Sequence, residues 1–333
     1  MGEEAEGPAL YTTRFRLMGG WGQVRFVDAG GRARAEGIAR AAEDEARRVE
    51  RKFSRYLESS VVSRVNRDAG RTPVAVDEET DRLVGEALAL RELTGGRFDP
   101  TVGVLRRAWR FEERRVPADE EIAALLPLVD GGSVGRRDGT VFLRKPGMEI
   151  DLGGVGKEYA VDRVTDLLAA AGVTSAIVDF AGDVRTLGRR GDGRRWRVGI
   201  RDPREPRRCL LALTIEGGAG IATSGDAERS FVADGVRYHH LLDARTGRPA
   251  RGLASATVVA PTAFRAGCLA TASFLLGPGE GLDLLERTPG VEGLLVTEDG
   301  AFRATTGMSR LATLPAEAYP VLRALRRGRA SAA

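Results

Sequence analysis

Two adjacent histidines, His239 and His240, are the only histidines in this 333-residue chain, and they lie in the stretch RYHHLLDARTG. Histidine has an ordinary pKa near neutral pH, so one of the two is the natural candidate for a catalytic base. In a strand, alternation sends the two rings to opposite faces, and only one of them can face a given pocket. A histidine with a purely structural hydrogen bond is the alternative, and the residues alone leave it open.

A glycine-rich stretch, MEIDLGGVGKEYAVDRVTDLLAAAG, is the second candidate for chemistry. It predicts a strand, a turn through Gly153, Gly154 and Gly156, and then a helix. Glycines let a backbone approach a ligand closely, and a helix N-terminus offers N–H groups and a positive dipole end to phosphate. Lys157, one of only three lysines, would lie at that terminus. The stretch is typical of a pyrophosphate site, although a tight turn with an exposed lysine gives the same pattern.

Three further stretches place polar side chains at turns or strand ends. Asp99 precedes a proline in GGRFDPTVGVL, and Ser224 follows a strand in GIATSGDAERSF. In FSRYLESSVVSRVNR, Ser60, Ser63 and Asn66 are spaced three residues apart. Each of these residues could contact a ligand. The alternatives are a buried, hydrogen-bonded aspartate, a turn closed by local bonds, and helix caps at the end of the first helix.

The elements that must position these residues indicate a mixed α+β fold. Helices and strands occur in runs instead of alternating strictly, so a doubly wound parallel sheet is not favoured. The pattern predicts a hairpin over 11–29, helices over 33–56, 77–94, 119–129, 157–171, 262–276 and 280–288, strands over 140–151, a run of strands over 175–260, and a closing hairpin over 291–305. We expect residues 1–9 to be disordered, residues 10–312 to form one domain, and residues 313–333 to form a loose tail.

Composition narrows the possible partners. Hydrophobic residues make up 42% and charged residues 29%, and the 51 basic and 47 acidic residues interleave, for a net charge of +4. There is no basic stripe with aromatics, so nucleic-acid binding is not expected. The N-terminus is acidic, and no stretch is apolar enough for a signal peptide or a membrane span, which predicts a cytoplasmic protein. Cys209 and Cys268 are too few for a disulfide framework or a zinc cluster and are expected to be free thiols.

Taken in order, seven blocks of the chain resemble the ApbE-like flavin transferases, a family of FAD:protein FMN transferases. The resemblance covers residues 11–310. The blocks are FRLMGG, SRYLESSVVSRVN, GGRFDPTVGVL, IDLGGVGKEYAVD, WRVGIRDP, IATSGD and HLLDARTGRP. The resemblance implies a mixed two-lobed fold with the FAD site in a cleft between the lobes. It also implies a reaction in which Mg²⁺ assists the cleavage of FAD, FMN passes to a Thr or Ser hydroxyl of an acceptor protein, and AMP leaves.

The resemblance also assigns roles to residues of this chain. It selects His240 over His239 as the base for the incoming hydroxyl. It also implies that Asp243, Thr246 and Gly247 form the turn that follows His240. The residues implied to contact FAD are Met18, Gly19, Asp99, Gly153, Gly154, Lys157, Ser224 and Asp243, and those implied to hold the metal are Gly156 and Thr271. The family's acceptor motif, Asp-x-x-Ser/Thr-Gly/Ala-Ala-Thr/Ser, is not evident here, so self-modification is not expected.

The chain departs from the family's pattern at four positions. Gly267 stands where the family has a metal-binding aspartate four residues before Thr271. Glu158, Ala181 and Gly20 stand in place of glycine, glycine and threonine. A hard cation prefers charged oxygen ligands, so the loss at Gly267 puts the metal site in question. Two alternatives follow, namely an FAD-binding carrier or regulator without transfer activity, and an FAD pyrophosphatase. Asp226 is the candidate for a compensating carboxylate.

Overall fold

The computed structural model describes residues 9–205 and 207–313, which fold around a central antiparallel sheet. The helices are α1 Arg32–Phe53, α2 Val61–Arg67, α3 Glu78–Leu93, α4 Asp119–Leu125, α5 Gly156–Ala170, α6 Ala263–Leu276, α7 Glu280–Arg287 and α8 Met308–Leu311. The strands are β1 Ala9–Leu17, β2 Gly20–Asp28, β3 Val74–Ala75, β4 Val134–Arg137, β5 Thr140–Leu143, β6 Ala176–Phe180, β7 Asp183–Leu187, β8 Trp196–Arg201, β9 Cys209–Ile215, β10 Gly220–Gly225, β11 Ser230–Ala233, β12 Val236–His239, β13 Leu242–Asp243, β14 Arg248–Pro249, β15 Leu253–Ala260, β16 Glu292–Thr297, β17 Phe302–Ala304 and β18 Ala312–Thr313. Short 3-10 turns cover Pro100–Arg107, Phe111–Glu113, Leu126–Leu128 and Gly131–Ser133.

The central sheet has eight strands in the order β1-β2-β6-β7-β10-β15-β16-β17, and each neighbouring pair is antiparallel. Its register brings three chain segments to one end. Gly22 pairs with Phe180, Phe180 with Asp183, and Val184 with Ile221. The hairpin turn before β2, the turn between β6 and β7, and the last residues of β10 therefore share one end of the sheet, which we call the site end.

Helices α1, α5 and α6 cover one face of this sheet, and the three-stranded sheet β18-β9-β8 covers the other. The period-2 alternation of strand side chains accounts for the two layers. On β6, Val178 packs on the helical face and Ile177 on the opposite face, and on β10 Ala222 and Ile221 divide in the same way. The inner strands thus carry apolar side chains on both faces of the sheet.

Many elements predicted from the sequence are present. The mixed α+β class, the first and last hairpins, α3, α6 and α7 are confirmed. Cys209 and Cys268 are free thiols, as expected. Residues 1–8 of the predicted disordered start lie outside the described residues, and Ala9 already pairs with Asp28 in the hairpin. The predicted tail lies outside the described residues except for Thr313, which ends β18.

The structure corrects two predicted boundaries. The first helix ends at Phe53, and Ser60 begins a separate helix, α2, by accepting a hydrogen bond from the Ser63 N–H at 2.9 Å. The capping alternative for Ser60 is therefore confirmed, but at the start of a new helix. The strand predicted over 140–151 stops at Leu143. The chain beyond Leu143 makes hydrogen bonds outside any strand pairing. In one of them the Ile150 N–H donates to the Asn66 side chain at 2.7 Å.

Candidate active site

Two tight turns lie side by side at the site end of the sheet. Met18 and Gly19 link β1 to β2 with φ values of 48° and 77°, and Ala181 and Gly182 link β6 to β7 with φ values of 53° and 97°. Two-residue hairpin turns of this kind need positive φ at both positions, which glycine adopts readily and alanine does not. A Cβ on Gly20 would lie 3.2 Å from the Ala181 Cβ. The two departures from the family pattern at these positions are thus in contact.

The glycine-rich turn before α5 packs on one side and is open on the other. The Gly153 N–H donates to Asp151 Oδ1 at 2.8 Å, and no side chain caps the first turn of α5. A Cβ on Gly154 would lie 3.1 Å from the Phe98 ring, whereas one on Gly156 would meet no described atom within 4 Å. The uncapped helix start leaves backbone N–H groups that suit an anionic ligand.

Lys157 pairs with a buried carboxylate of the neighbouring turn. Its Nζ lies 2.7 Å from Asp183 Oδ2, and Asp183 is 2% exposed. Burial alone would lower the pKa of Lys157, but the combined negative charges of Asp183, Glu158 and Glu228 and the hydrogen bond to Asp183 outweigh that effect and raise the pKa. Lys157 is therefore a permanent positive charge at the start of α5, held there by Asp183.

Glu158, the next residue, turns its carboxyl toward α6. It is buried, and its Oε2 has no hydrogen-bond partner among the described residues. A Cβ added to Gly267 would lie 2.7 Å from Glu158 Cδ and 2.8 Å from Oε1. The Glu158 side chain thus fills the space that a side chain at 267 would need. Burial and the negative charge of Asp183 raise the pKa of Glu158.

Thr271 lies one helical turn beyond Gly267 on α6 and is buried. Its Oγ1 lies 3.0 Å from the Ser224 Oγ near the end of β10. Residues four apart on a helix share a face, so the hydroxyl of Thr271 and the space above Gly267 lie along the same side of α6. The structure therefore joins two predicted site residues, Ser224 and Thr271, to the site end that also holds Lys157.

His240 follows the last residue of β12, and its Nδ1 lies 3.0 Å from the Glu228 carbonyl oxygen. A carbonyl oxygen only accepts, so Nδ1 donates its proton and the neutral ring presents Nε2 as the basic nitrogen. Among the described residues no group donates to Nε2. Burial lowers the pKa of His240, and the charges of Arg229 and Lys157 lower it further. The ring is therefore neutral and basic at neutral pH.

His239 lies in a different environment, in the core. It is 1% exposed, its Nε2 donates to the Ala250 carbonyl oxygen at 3.0 Å, and its ring stands edge-on to Phe274. Burial lowers the pKa of His239 to about 4. These contacts favour the structural alternative for this histidine.

Asp99 and Asp243 use their carboxylates within the protein. Asp99 Oδ1 accepts the Thr101 N–H at 2.8 Å, and its Oδ2 accepts from Arg91 at 2.9 Å and from the Gly131 N–H at 2.8 Å. Asp243 accepts from the backbone and side chain of Arg245. The bonds of Asp99 agree with the structural alternative named for it, and direct contact of either aspartate with FAD stays a prediction.

The Asp243 turn is closed by backbone bonds. The Asp243 carbonyl oxygen accepts the Thr246 N–H at 3.1 Å and the Gly247 N–H at 2.8 Å. Gly247 has a φ of 68°, and a Cβ there would lie 2.6 Å from Ile122. Glycine is required at this position both for the backbone conformation and for the space.

Asp226, the candidate for a compensating carboxylate, is fully engaged elsewhere. Its two oxygens accept from the Arg204 guanidinium at 2.6 and 2.9 Å. The carboxyl that faces Gly267 belongs to Glu158 instead. In the sequence, Glu158 and Asp162 are acidic residues one turn apart within an apolar helix, a signal that could have pointed to a buried polar face. Asp183 carried no such local signal.

The described residues hold no group of three or more His, Cys, Asp and Glu side chains arranged to bind a metal ion. The oxygen donors on this side of α6 are of another kind, namely the Glu158 carboxyl, one oxygen of which has no partner among the described residues, and the hydroxyls of Thr271 and Ser224. Oxygen ligands of this mixture suit Mg²⁺, which also keeps several waters. The donor set therefore fits a hard cation.

None of the helices in the described part of the chain combines the length and apolar composition that crossing a membrane requires.

Comparison with known proteins places this arrangement in a family. Residues 18–295 match the model of the ApbE family. A FAD:protein FMN transferase of Treponema pallidum is 35% identical over 274 residues, covering 77% of this chain and 76% of the relative. One from Vibrio cholerae is 31% identical over 302 residues, covering 89% of this chain and 88% of the relative.

Solved structures agree with the sequence matches. The ApbE protein of Thermotoga maritima superposes with a TM-score of 0.83 at 37% identity, covering 92% of this chain and 100% of that one. The flavin transferase ApbE of Vibrio cholerae superposes with a TM-score of 0.82 at 29% identity, covering 91% of this chain and 99% of that one. The chain therefore belongs to the ApbE family of FAD:protein FMN transferases.

Proposed function

We propose that this chain moves FMN from FAD to a Thr or Ser hydroxyl of an acceptor protein. The acceptor oxygen attacks the phosphorus on the FMN side of the FAD pyrophosphate. A phosphoester bond forms, the bond from that phosphorus to the bridging oxygen breaks, and AMP leaves with the bridging oxygen. The hydroxyl proton passes to a base on the enzyme, so atoms and charge balance.

The state of His240 is the observation that supports this chemistry most directly. Its Nδ1 is held by the Glu228 carbonyl, which orients the ring and leaves Nε2 as the basic nitrogen. Its lowered pKa keeps it unprotonated at neutral pH, as a general base must be. His240 would therefore take the proton of the incoming hydroxyl.

The pyrophosphate of FAD would lie at the start of α5. The uncapped helix N-terminus and the charge of Lys157 both favour phosphate there. Met18, Gly19, Gly153, Gly154 and Ser224 would contact FAD from the turns around this point, and Asp99 and Asp243 would act by shaping the loops beside it. A cleft between two lobes as the seat of FAD belongs to the same proposal.

Mg²⁺ would be held by the backbone at Gly156, by Thr271 and by a carboxylate near Gly267. When bound, the ion would neutralise phosphate charge as the bridging oxygen departs. The chain's part is to present oxygen donors, and the open space beside Gly156 leaves room for ligand and water.

A cytoplasmic location is also part of the proposal, and cell fractionation would test it.

The test is an incubation of the full chain with FAD, Mg²⁺ and a peptide carrying the family's acceptor motif. An FMN–peptide adduct and an equal amount of AMP are expected. FMN and AMP without any acceptor would instead indicate a pyrophosphatase. FAD binding with no AMP would indicate a carrier, and either result would overturn the transferase assignment.

A further inference from the structure

Glu158 and Gly267 occupy each other's space between α5 and α6. A Cβ on Gly267 would lie 2.7 Å from Glu158 Cδ and 2.8 Å from Oε1, and it would lie closer still to Cγ. Real Cβ atoms essentially never come within 3.0 Å of a neighbour. A side chain at 267 would therefore force the Glu158 side chain out of its present position, and the glycine is explained by its neighbour on the other helix.

The packing of α5 against α6 fixes this juxtaposition. Asp162 accepts the N–H groups of Ala263 and Phe264 at 2.9 Å each, which anchors the start of α6 to the middle of α5. Glu158 is four residues before Asp162, and Gly267 is four residues after Ala263. The two helices run antiparallel. The residue one turn before Asp162 on α5 therefore faces the residue one turn after Ala263 on α6, which places Glu158 against position 267.

The carboxyl of Glu158 lies in the field of Asp183 and Lys157, but one of its two oxygens lacks the partner that a buried carboxyl oxygen normally has. It is 7% exposed, and its Oε2 accepts no hydrogen bond from the described residues. The nearest lysine, Lys157, is paired with Asp183 at 2.7 Å. Burying a charge or polar atom without a partner is costly, so such a group marks a place where an additional ligand completes the site.

We propose that Glu158 supplies, from α5, the carboxylate with which this site binds its divalent cation. The cation would lie between α5 and the face of α6 that carries Gly267 and Thr271, where the Glu158 carboxylate and the Thr271 hydroxyl would supply the oxygen ligands that a hard ion prefers. The inference rests on the proposed function for the identity of the cation. It replaces the expectation of a weakened site, because the carboxylate has exchanged helices with a glycine instead of being lost.

The exchange predicts which variants bind metal. The probe is Mn²⁺, measured by the electron paramagnetic resonance of the free ion, with and without FAD, and with Mg²⁺ as competitor. Glu158→Gln keeps the shape of the side chain and is expected to weaken Mn²⁺ binding by at least about tenfold, since even outer-shell changes have that effect. Glu158→Gly is expected to do the same.

The double variant Glu158→Gly with Gly267→Asp moves the carboxylate to the other helix and clears the space for it. It is expected to restore Mn²⁺ affinity to within about tenfold of the wild type, the range that altered ligand support costs. Gly267→Asp alone forces two carboxyls into one space and is expected to lower the thermal unfolding temperature. Asp166→Asn, which removes an exposed carboxylate two turns along α5 from Glu158, is the matched control and should leave Mn²⁺ binding unchanged.

Three outcomes would overturn the proposal. They are no Mn²⁺ binding by the wild type in either condition, wild-type affinity in Glu158→Gln, and a folded double variant that does not regain affinity. The readout is independent of catalysis. If Mn²⁺ affinity follows residue 158 but no acceptor is modified, the proposed function fails and this inference stands, and the reverse pattern separates them in the other direction.

Discussion

At the scale of single residues, one step along the chain separates two histidines with different chemistry. His239 ends β12 inside the core, and His240 emerges beside Glu228 at the site end of the sheet. The alternation of strand side chains predicts that the two rings lie on opposite faces of the strand, but it does not predict which of them is buried. That outcome depends on the packing of Phe274 and Ala250 against the strand, which no local pattern contains.

Replacing His240 by alanine removes the proposed base. We expect the single-turnover rate of FMN transfer to fall about 100- to 10,000-fold, the usual contribution of general base catalysis, with FAD affinity little changed. His239→Gln is the matched control, because a glutamine amide can still donate to the Ala250 carbonyl. A His240→Ala enzyme with wild-type turnover would rule out the assigned base.

The buried His239 links folding stability to pH. Its pKa is about 4 in the folded protein against an ordinary 6.5, so below 6.5 the unfolded chain takes up a proton that the folded chain cannot. Stability should therefore fall as the pH drops from 6.5 toward 4. From pH 7.5 to about pH 5, the wild type should lose about 2 kcal/mol more than His239→Gln in urea unfolding. Equal losses in both proteins would contradict this environment for His239.

At the scale of elements, the turn between β6 and β7 holds an alanine in the left-handed region of backbone conformation. Ala181 has a φ of 53°, a region that disfavours a Cβ by about 1 kcal/mol. Ala181→Gly should therefore raise the free energy of unfolding by about that amount. Asp234, at a φ of 49° in the β11–β12 turn, is the comparison. Aspartate tolerates this region better, so Asp234→Gly should gain less, and the opposite order would be inconsistent with strain at Ala181.

The contact between α5 and α6 depends on Asp162, which bonds the first N–H groups of α6. Asp162→Ala should lower the free energy of unfolding by about 1–2 kcal/mol, the value of a helix cap. Asp166, one turn along α5, is 56% exposed and pairs with Arg185. Its alanine variant should cost less than about 1 kcal/mol. Urea denaturation of both variants measures the difference, and similar losses would show that the anchor is not specific.

Some of these elements could be predicted from the sequence, and others could not. The hairpins, α6 and the helix after the glycine turn follow from local patterns of apolar residues and glycine. The residues 144–151 do not form the predicted strand, because Ile150 bonds to the distant Asn66 instead of to another strand. The pairing of Glu158 with Gly267 depends on the register of two helices about 100 residues apart, which is a tertiary property.

At the scale of the whole molecule, the central sheet gathers segments that are far apart in the chain. The antiparallel register brings the turn at Met18, the turn at Ala181 and Ser224 to one end of the sheet. Lys157 of α5 and Thr271 of α6 lie at the same end. Apolar side chains pack on both faces of this sheet. Four of the seven blocks, FRLMGG, IDLGGVGKEYAVD, IATSGD and HLLDARTGRP, contribute residues to this end of the sheet.

The most direct test of the account is the intact mass of an acceptor after incubation with the enzyme, FAD and Mg²⁺. The acceptor should gain the mass of one FMN less one water, in an amount equal to the AMP released. The gain should disappear when the acceptor's Thr or Ser hydroxyl is removed, and it should form at least about 100-fold more slowly when His240→Ala replaces the wild type. AMP release with an unmodified acceptor, or an adduct that forms equally well without His240, would contradict the account.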